Sequence, residues 1–213
     1  MDDPARIVEV GYDALGEGYR DWAASFDDPT REAWVGQLAR TLPDGSFVLD
    51  AGCGPGSPTG AALMAAGHFV VGIDRSTAQL GLARAEGLGV LRSDLVRIAI
   101  ATARCDAVVA LYSLTHLVAE RQPVALAELA RVTRPGGHLV ATLSAGSERS
   151  DGPDHWLGVD TWFGGHPPAA NRRMLDDAGW QLDRDEIVTL HEPDGDTRFH
   201  WIRATRRSSR APS

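Results

Sequence analysis

Nine residues, Val48-Leu49-Asp50-Ala51-Gly52-Cys53-Gly54-Pro55-Gly56, carry the clearest chemical signal in the sequence. A short apolar run, expected to be a buried strand, enters a turn that lacks side chains at three alternating positions. Glycine there lets the backbone approach a ligand closely and supplies dihedrals that other residues resist. A dinucleotide fingerprint is G-x-G-x-x-G. From Gly52 that register needs glycine at position 57, where Ser57 stands, so a pyrophosphate is not the expected ligand. Asp50 precedes the loop, Asp74 closes the next apolar run, and Asp94 follows the third, in Leu91-Arg92-Ser93-Asp94-Leu95. An acidic side chain at the second of these places can accept both hydroxyls of a ribose. Three carboxylates with no phosphate-binding group suit a cationic nucleoside. S-adenosylmethionine has that chemistry: a sulfonium, an ammonium, a ribose diol and an exocyclic amine.

Acceptor chemistry has two candidate places. After the fourth apolar run comes Leu111-Tyr112-Ser113-Leu114-Thr115-His116. This is not the Asn/Asp-Pro-Pro-Tyr pattern of enzymes that methylate amide or base nitrogens. His116 is either a general base, since an imidazole titrates near neutrality, or a wall of the pocket. Methyl displacement can also proceed by positioning alone. The second place runs from His155-Trp156 to Trp162-Phe163-Gly164-Gly165-His166. These aromatics read either as a substrate lid or as anchors of a β-hairpin. The seven histidines show no ligand spacing, so no metal is expected. All 21 basic residues are arginine, which removes a phosphate-loop lysine, a Schiff-base lysine and any catalytic amine.

The elements that must hold these groups alternate. Apolar runs at 47–51, 69–73, 90–91, 107–111 and 138–143 predict strands buried on both faces, and the stretches 58–66, 76–85 and 122–133 predict helices between most of them. Such alternation gives a doubly wound parallel sheet. Residues 4–42 predict two helices, the first weakened by Gly16 and Gly18, the second starting after Asp28-Pro29-Thr30. Residues 145–168, rich in Gly, Pro, Asp and aromatics, predict a long surface excursion over a site. A helix at 169–178 and strands at 186–192 and 197–205, joined by Glu192-Pro193-Asp194-Gly195-Asp196, complete the chain.

A length of 213 residues suits one α/β domain over 1–213, and two independent cores would be cramped. The expected divisions are helices or a lid in 1–42, a cofactor-binding core in 46–144, acceptor-side structure in 145–205 and a solvated tail in 206–213. The net charge of −8 disfavours nucleic acid as the main partner, and Arg203, Arg206, Arg207 and Arg210 are read as part of a frayed end. No apolar run approaches the length of a membrane span, and Cys53 and Cys105 sit in core-like segments. A cytoplasmic protein is expected, as monomer or homodimer.

Leu49-Asp50-Ala51-Gly52-Cys53-Gly54-Pro55-Gly56, Gly72-Ile73-Asp74, Ser93-Asp94-Leu95, Asp106-Ala107-Val108-Val109 and Arg134-Pro135-Gly136-Gly137 resemble the successive motifs of class I S-adenosylmethionine-dependent methyltransferases, of small-molecule type. The likeness is strong over 46–144 and looser at both ends. It implies a Rossmann-like, seven-stranded, mostly parallel sheet with a C-terminal antiparallel hairpin and an N-terminal helical lid. It also implies that Asp50 with Gly52, Gly54 and Gly56 holds the methionine portion. Asp74, with Arg75, would take the ribose and cover the adenine. Ser93, Asp94 and Leu95 would meet the adenine, and Leu111 the methionine end. Tyr12 falls to the cofactor through the lid. Tyr19, Tyr112, Trp162 and His166 fall to the acceptor. The implied reaction is methyl transfer to a small molecule; a non-methylating enzyme such as a cyclase, or a non-catalytic cofactor-binding module, are the alternatives.

Overall fold

A computed structural model describes residues 3–208. Nine strands form among the described residues: β1 (Phe47–Ala51), β2 (Phe69–Asp74), β3 (Gly89–Arg92), β4 (Cys105–Ala110), β5 (Thr133–Ser144), β6 (Ser150–Trp156), β7 (Val159–Gly165), β8 (Trp180–Glu192) and β9 (Gly195–Arg206). Seven of them make one sheet in the order β3-β2-β1-β4-β5-β9-β8. The first five are parallel, β9 runs antiparallel to β5, and β8 pairs antiparallel with β9. Helices α1 (Pro4–Leu15), α2 (Glu17–Ala23), α3 (Pro29–Thr41), α4 (Thr59–Ala65), α5 (Thr77–Ala85), α6 (Gln122–Val132) and α7 (Pro168–Asp177) complete the fold.

Strand alternation divides the core into two layers. Leu49, Val108, Leu139 and Ile202 face α6 and α7, where Leu126, Leu129 and Leu175 meet them. Val48, Val109, Val140 and Trp201 face the other way, onto Trp34, Leu38 and Leu63 of α3 and α4. A sheet buried on both faces explains why β1, β4 and β5 read as continuous apolar runs. The strand order reverses between β1 and β4, and the crevice at such a switch point is where open α/β sheets take ligands.

Four expectations change. The first predicted helix breaks at Gly16, whose φ of 49° and ψ of −124° end α1 and start α2. The excursion over 145–168 is a separate two-stranded sheet, β6 with β7, rather than a loop. Strand β8 begins at Trp180, well before 186, because a register shift between Leu182 and Arg184 breaks its alternation. The basic end is not a tail through Arg207: Arg203 and Arg206 belong to β9, and Arg207 pairs with Asp176. Arg210 lies outside the described residues. No helix among them is long and apolar enough to cross a membrane.

Candidate active site

Every carboxylate singled out in the sequence stands at the carboxyl edge of the parallel strands, but they are not equivalent. Asp50, next to last in β1, is 4% exposed and accepts no hydrogen bond among the described residues. Burial and the neighbouring Asp74 push its carboxyl up to about 7. Asp74 is raised by burial too, although it accepts from Gly54 N at 3.0 Å and Ser76 N at 2.9 Å. Each of its oxygens therefore keeps a free lone pair. Asp94 pairs with Arg75 and accepts from Val96 N at 3.1 Å.

Two connected spaces run along this edge. A cavity is lined by Ala5, Val8, Tyr12, Tyr19, Gly52, Gly54, Asp74, Arg75, Ser93, Asp94, Leu95, Leu111, Tyr112 and His116. A smaller one, sharing Gly52, Gly54 and Leu111, reaches Asp50 and Arg31. All the residues predicted for the cofactor are thus brought together except one. Gly56 faces away, and a Cβ there would stand 3.0 Å from the Ala83 Cβ, so its missing side chain serves the packing of α5. Gly54 has φ of 51°, and a Cβ on it would meet only the Tyr19 ring, 3.4 Å away. Ser93 lines the cavity, yet its hydroxyl is committed to the turn that follows, donating to Arg97 O and accepting from Ala99 N. Arg31 was not singled out in the sequence; its place follows from Asp28, which caps α3 by accepting from Arg31 N at 3.0 Å.

Helix α1 closes the cavity from above and is tied down at several points. Glu9, 5% exposed, binds Arg6, Arg75 and Arg92 at 2.9, 3.0 and 2.7 Å. Asp13 accepts from Ser76 Oγ at 2.6 Å and Ala78 N at 3.0 Å, and Gln79 Nε2 donates to the carbonyls of Tyr12 and Gly16. The local pattern of the sequence offers Glu9 only Arg6, three residues earlier on α1; Arg75 and Arg92 lie elsewhere in the chain.

His116 ends a single turn of 3₁₀ helix (Leu114–His116) beyond β4. Its Nδ1 lies 3.1 Å from the Trp162 carbonyl, which only accepts, so Nδ1 carries the proton. Nε2 then accepts from the Tyr12 hydroxyl at 2.8 Å. Burial lowers the imidazole to about 4, well below the value near neutrality that a general base needs.

A second cavity, about 390 Å³, adjoins the first and shares Tyr12, Tyr19, Tyr112 and His116 with it. Tyr19 and Tyr112, expected at the acceptor, border both cavities. Trp162 and His166 do not: Trp162 Nε1 donates to Asp151 Oδ1 at 2.6 Å, and His166 Nε2 donates to Ala119 O at 2.9 Å. Adjacent residues of a strand face opposite sides, so with Phe163 turned into the cavity Trp162 faces out. Trp156, Phe163, Trp22 and Phe26 supply the aromatic wall instead. Among the described residues no group of three or more His, Cys, Asp or Glu is placed to hold a metal.

Residues 49–141 match a family model described as a methyltransferase domain. The Mus musculus protein tRNA (carboxymethyluridine(34)-5-O)-methyltransferase ALKBH8 is 32% identical over 133 residues, 61% of this chain and 20% of that one. An Arabidopsis thaliana tRNA (carboxymethyluridine(34)-5-O)-methyltransferase is 30% identical over 187 residues, 84% of this chain and 44% of its own. The chain spans less than half the length of these curated relatives. Among solved structures, Burkholderia thailandensis 1,6-didemethyltoxoflavin-N1-methyltransferase, with bound 1,6-didemethyltoxoflavin and S-adenosylhomocysteine, is similar with a TM-score of 0.76. That match is 17% identical and covers 98% of this chain and 92% of that one.

Proposed function

We propose that the chain, whose residues 49–141 match a methyltransferase domain, is a class I S-adenosylmethionine-dependent methyltransferase that methylates a small molecule seated in the aromatic cavity beside Tyr12 and His116. The observation that carries this reading is the junction of the two cavities at Tyr12, Tyr19, Tyr112 and His116. The larger space, about 390 Å³, falls in the size class of small-ligand sites, roughly 300–1,000 Å³. RNA would need a basic track. Among the described residues Arg31 is the one basic side chain other than His116 lining this cavity, and Asp28 already lies 3.6 Å from it. The relatives named for tRNA share the methyltransferase region, and the charge of this cavity argues for a different acceptor here.

The chemistry of the donor set fits the cofactor. A buried carboxyl without a donor, Asp50, is half of an ion pair, and the ammonium of the amino-acid end completes it. Arg31, lining the same small cavity, suits the carboxylate of that end. Asp74 has the free lone pairs for a ribose diol, while Asp94 accepts from the adenine amine against Leu95 and Val8. When bound, S-adenosylmethionine supplies a methyl group on a sulfonium; the acceptor's lone pair forms the new bond to carbon as the S–C electron pair stays on sulfur. The residues of the chain position this displacement. His116 fixes the Tyr12 hydroxyl, Tyr112 is held by its hydrogen bond to Asp28, and the α1 helix excludes water. An acceptor that carries a proton releases it to solvent, because a buried imidazole near 4 is too weak a base to retain it.

The test uses S-adenosylmethionine labelled in the methyl group, incubated with the protein and either a low-molecular-mass metabolite extract or total RNA. Label in the metabolite fraction with S-adenosylhomocysteine as product supports the reading. Label in RNA overturns it, and methylthioadenosine as product shows use of the cofactor without methylation.

A further inference from the structure

The cavity beside the cofactor site is both aromatic and acidic. Trp22 and Trp156 meet edge to face with centroids 4.8 Å apart, Tyr19 stacks at 6.0 Å on Trp22, and Phe163 stands 6.1 Å from Trp156. These rings pack on one another and together line one space, and an aromatic face turned to such a space attracts a cation. On the wall made by β8 and β9, Glu192 accepts from Thr197 Oγ1 at 2.7 Å through one oxygen, and Asp194 accepts from Trp156 Nε1 at 2.7 Å. Asp154 lines the same space. Asp28 is answered by Arg31 and Asp196 by His191, but no arginine or histidine side chain pairs with Glu192, Asp194 or Asp154 among the described residues. Burial, Asp194 and Asp28 together raise the Glu192 carboxyl, as expected of an acid that lacks its counter-charge.

Resting on the small-acceptor reading above, we propose that the acceptor carries a positively charged nitrogen, caged by Trp22, Trp156 and Tyr19 and paired with Glu192 and Asp194. A protonated or quaternary nitrogen has no lone pair, so it anchors the molecule and is not the atom that is methylated. Glu192 and Asp194 line the acceptor cavity and not the cofactor cavity, which keeps this charge apart from the sulfonium. The methylated atom lies at the other end, where Tyr12, Tyr112 and His116 border both spaces.

Three matched probes test this against the protein saturated with S-adenosylhomocysteine: 2-phenylethylamine, 2-phenylethanol and 3-phenylpropionate. Binding is read by tryptophan fluorescence. The amine should bind about tenfold tighter than the alcohol, with the carboxylate weakest. Glu192→Gln with Asp194→Asn keeps the bonds to Thr197 and Trp156 and removes both charges. In that variant the amine should fall to within about twofold of the alcohol. A carboxylate that binds as well as the amine, an amine advantage that survives in the variant, or no binding of the amine overturns the proposal. Label in RNA in the transfer assay would overturn the small-acceptor reading whatever the probes do, so the two failures are distinct.

Discussion

The hydroxyl of Tyr12 donates to Nε2 of His116 across 2.8 Å, joining helix α1 to the turn after β4 over 104 residues of chain. The bond occupies the one lone pair of the neutral ring. His116 is thereby a positioning residue for Tyr12 in our reading, and its low affinity for protons follows from burial. His116→Ala should lower kcat by about ten- to a hundredfold through misplacement of Tyr12, and His116→Gln, which can still accept from the hydroxyl, should recover part of it. Turnover should show no inflection near pH 6.5, since the ring is neutral from about 4 upward. A rate that rises through pH 6.5 and loses that limb in His116→Ala would make it a general base.

Gly54 and Gly56 separate ligand space from packing space. Both have positive φ, 51° and 84°, so alanine adds a similar backbone strain of about 1–2 kcal/mol at each. Only at Gly56 does the new methyl press on Ala83. Gly56→Ala should therefore melt about 3–8 °C below Gly54→Ala, from an overpacking cost of roughly 1–3 kcal/mol. Gly54→Ala should instead weaken S-adenosylmethionine by about tenfold or more with the smaller loss of Tm. Equal cofactor affinity in the two variants would remove Gly54 from the binding surface.

Much of the site was legible because it depends on strand ends. The apolar runs fix β1, β2 and β3, and Asp50, Asp74 and Asp94 then reach one edge by topology alone. What could not be read depends on contacts between distant segments. Glu9 is an ordinary helix-surface glutamate until Arg75, just beyond β2, and Arg92, at the end of β3, arrive. Trp156 and Trp162 look alike in a Gly/Pro-rich stretch, and only the β6–β7 register decides which one faces the cavity. Gly56 fits the loop pattern, but the pattern does not say which glycine meets a ligand and which meets α5.

The weak glycines of the first helix suggest a lid that is mobile without ligand, whereas the ties of Glu9, Asp13 and Gln79 argue that α1 is ordered before the cofactor binds. Hydrogen exchange should show residues 4–15 protected in the cofactor-free protein. Glu9→Ala should lose that protection, since each hydrogen bond to a charged group contributes about 1.5–3 kcal/mol. Full exchange of α1 in the wild type without ligand would restore the mobile lid.

Asp50 tests the central claim, that this crevice is built for S-adenosylmethionine. Its carboxyl titrates near 7 in the folded protein and near 3.9 when unfolded, so the native state holds the extra proton between these values. Stability without cofactor should therefore fall as pH rises from about 4 to 7. An ammonium beside Asp50 favours the ionised form, so cofactor affinity should rise over pH 6 to 7 and decline above about 8 as the ligand's amine loses its proton. The decisive measurement is calorimetric titration with S-adenosylmethionine over pH 6–8 for the wild type and Asp50→Asn. The variant should bind about ten- to a hundredfold more weakly at pH 7.5 and lose the acid limb, while its cofactor-free Tm rises because a dry, unpaired charge is gone. Wild-type affinity in Asp50→Asn, with the acid limb intact, would contradict the account.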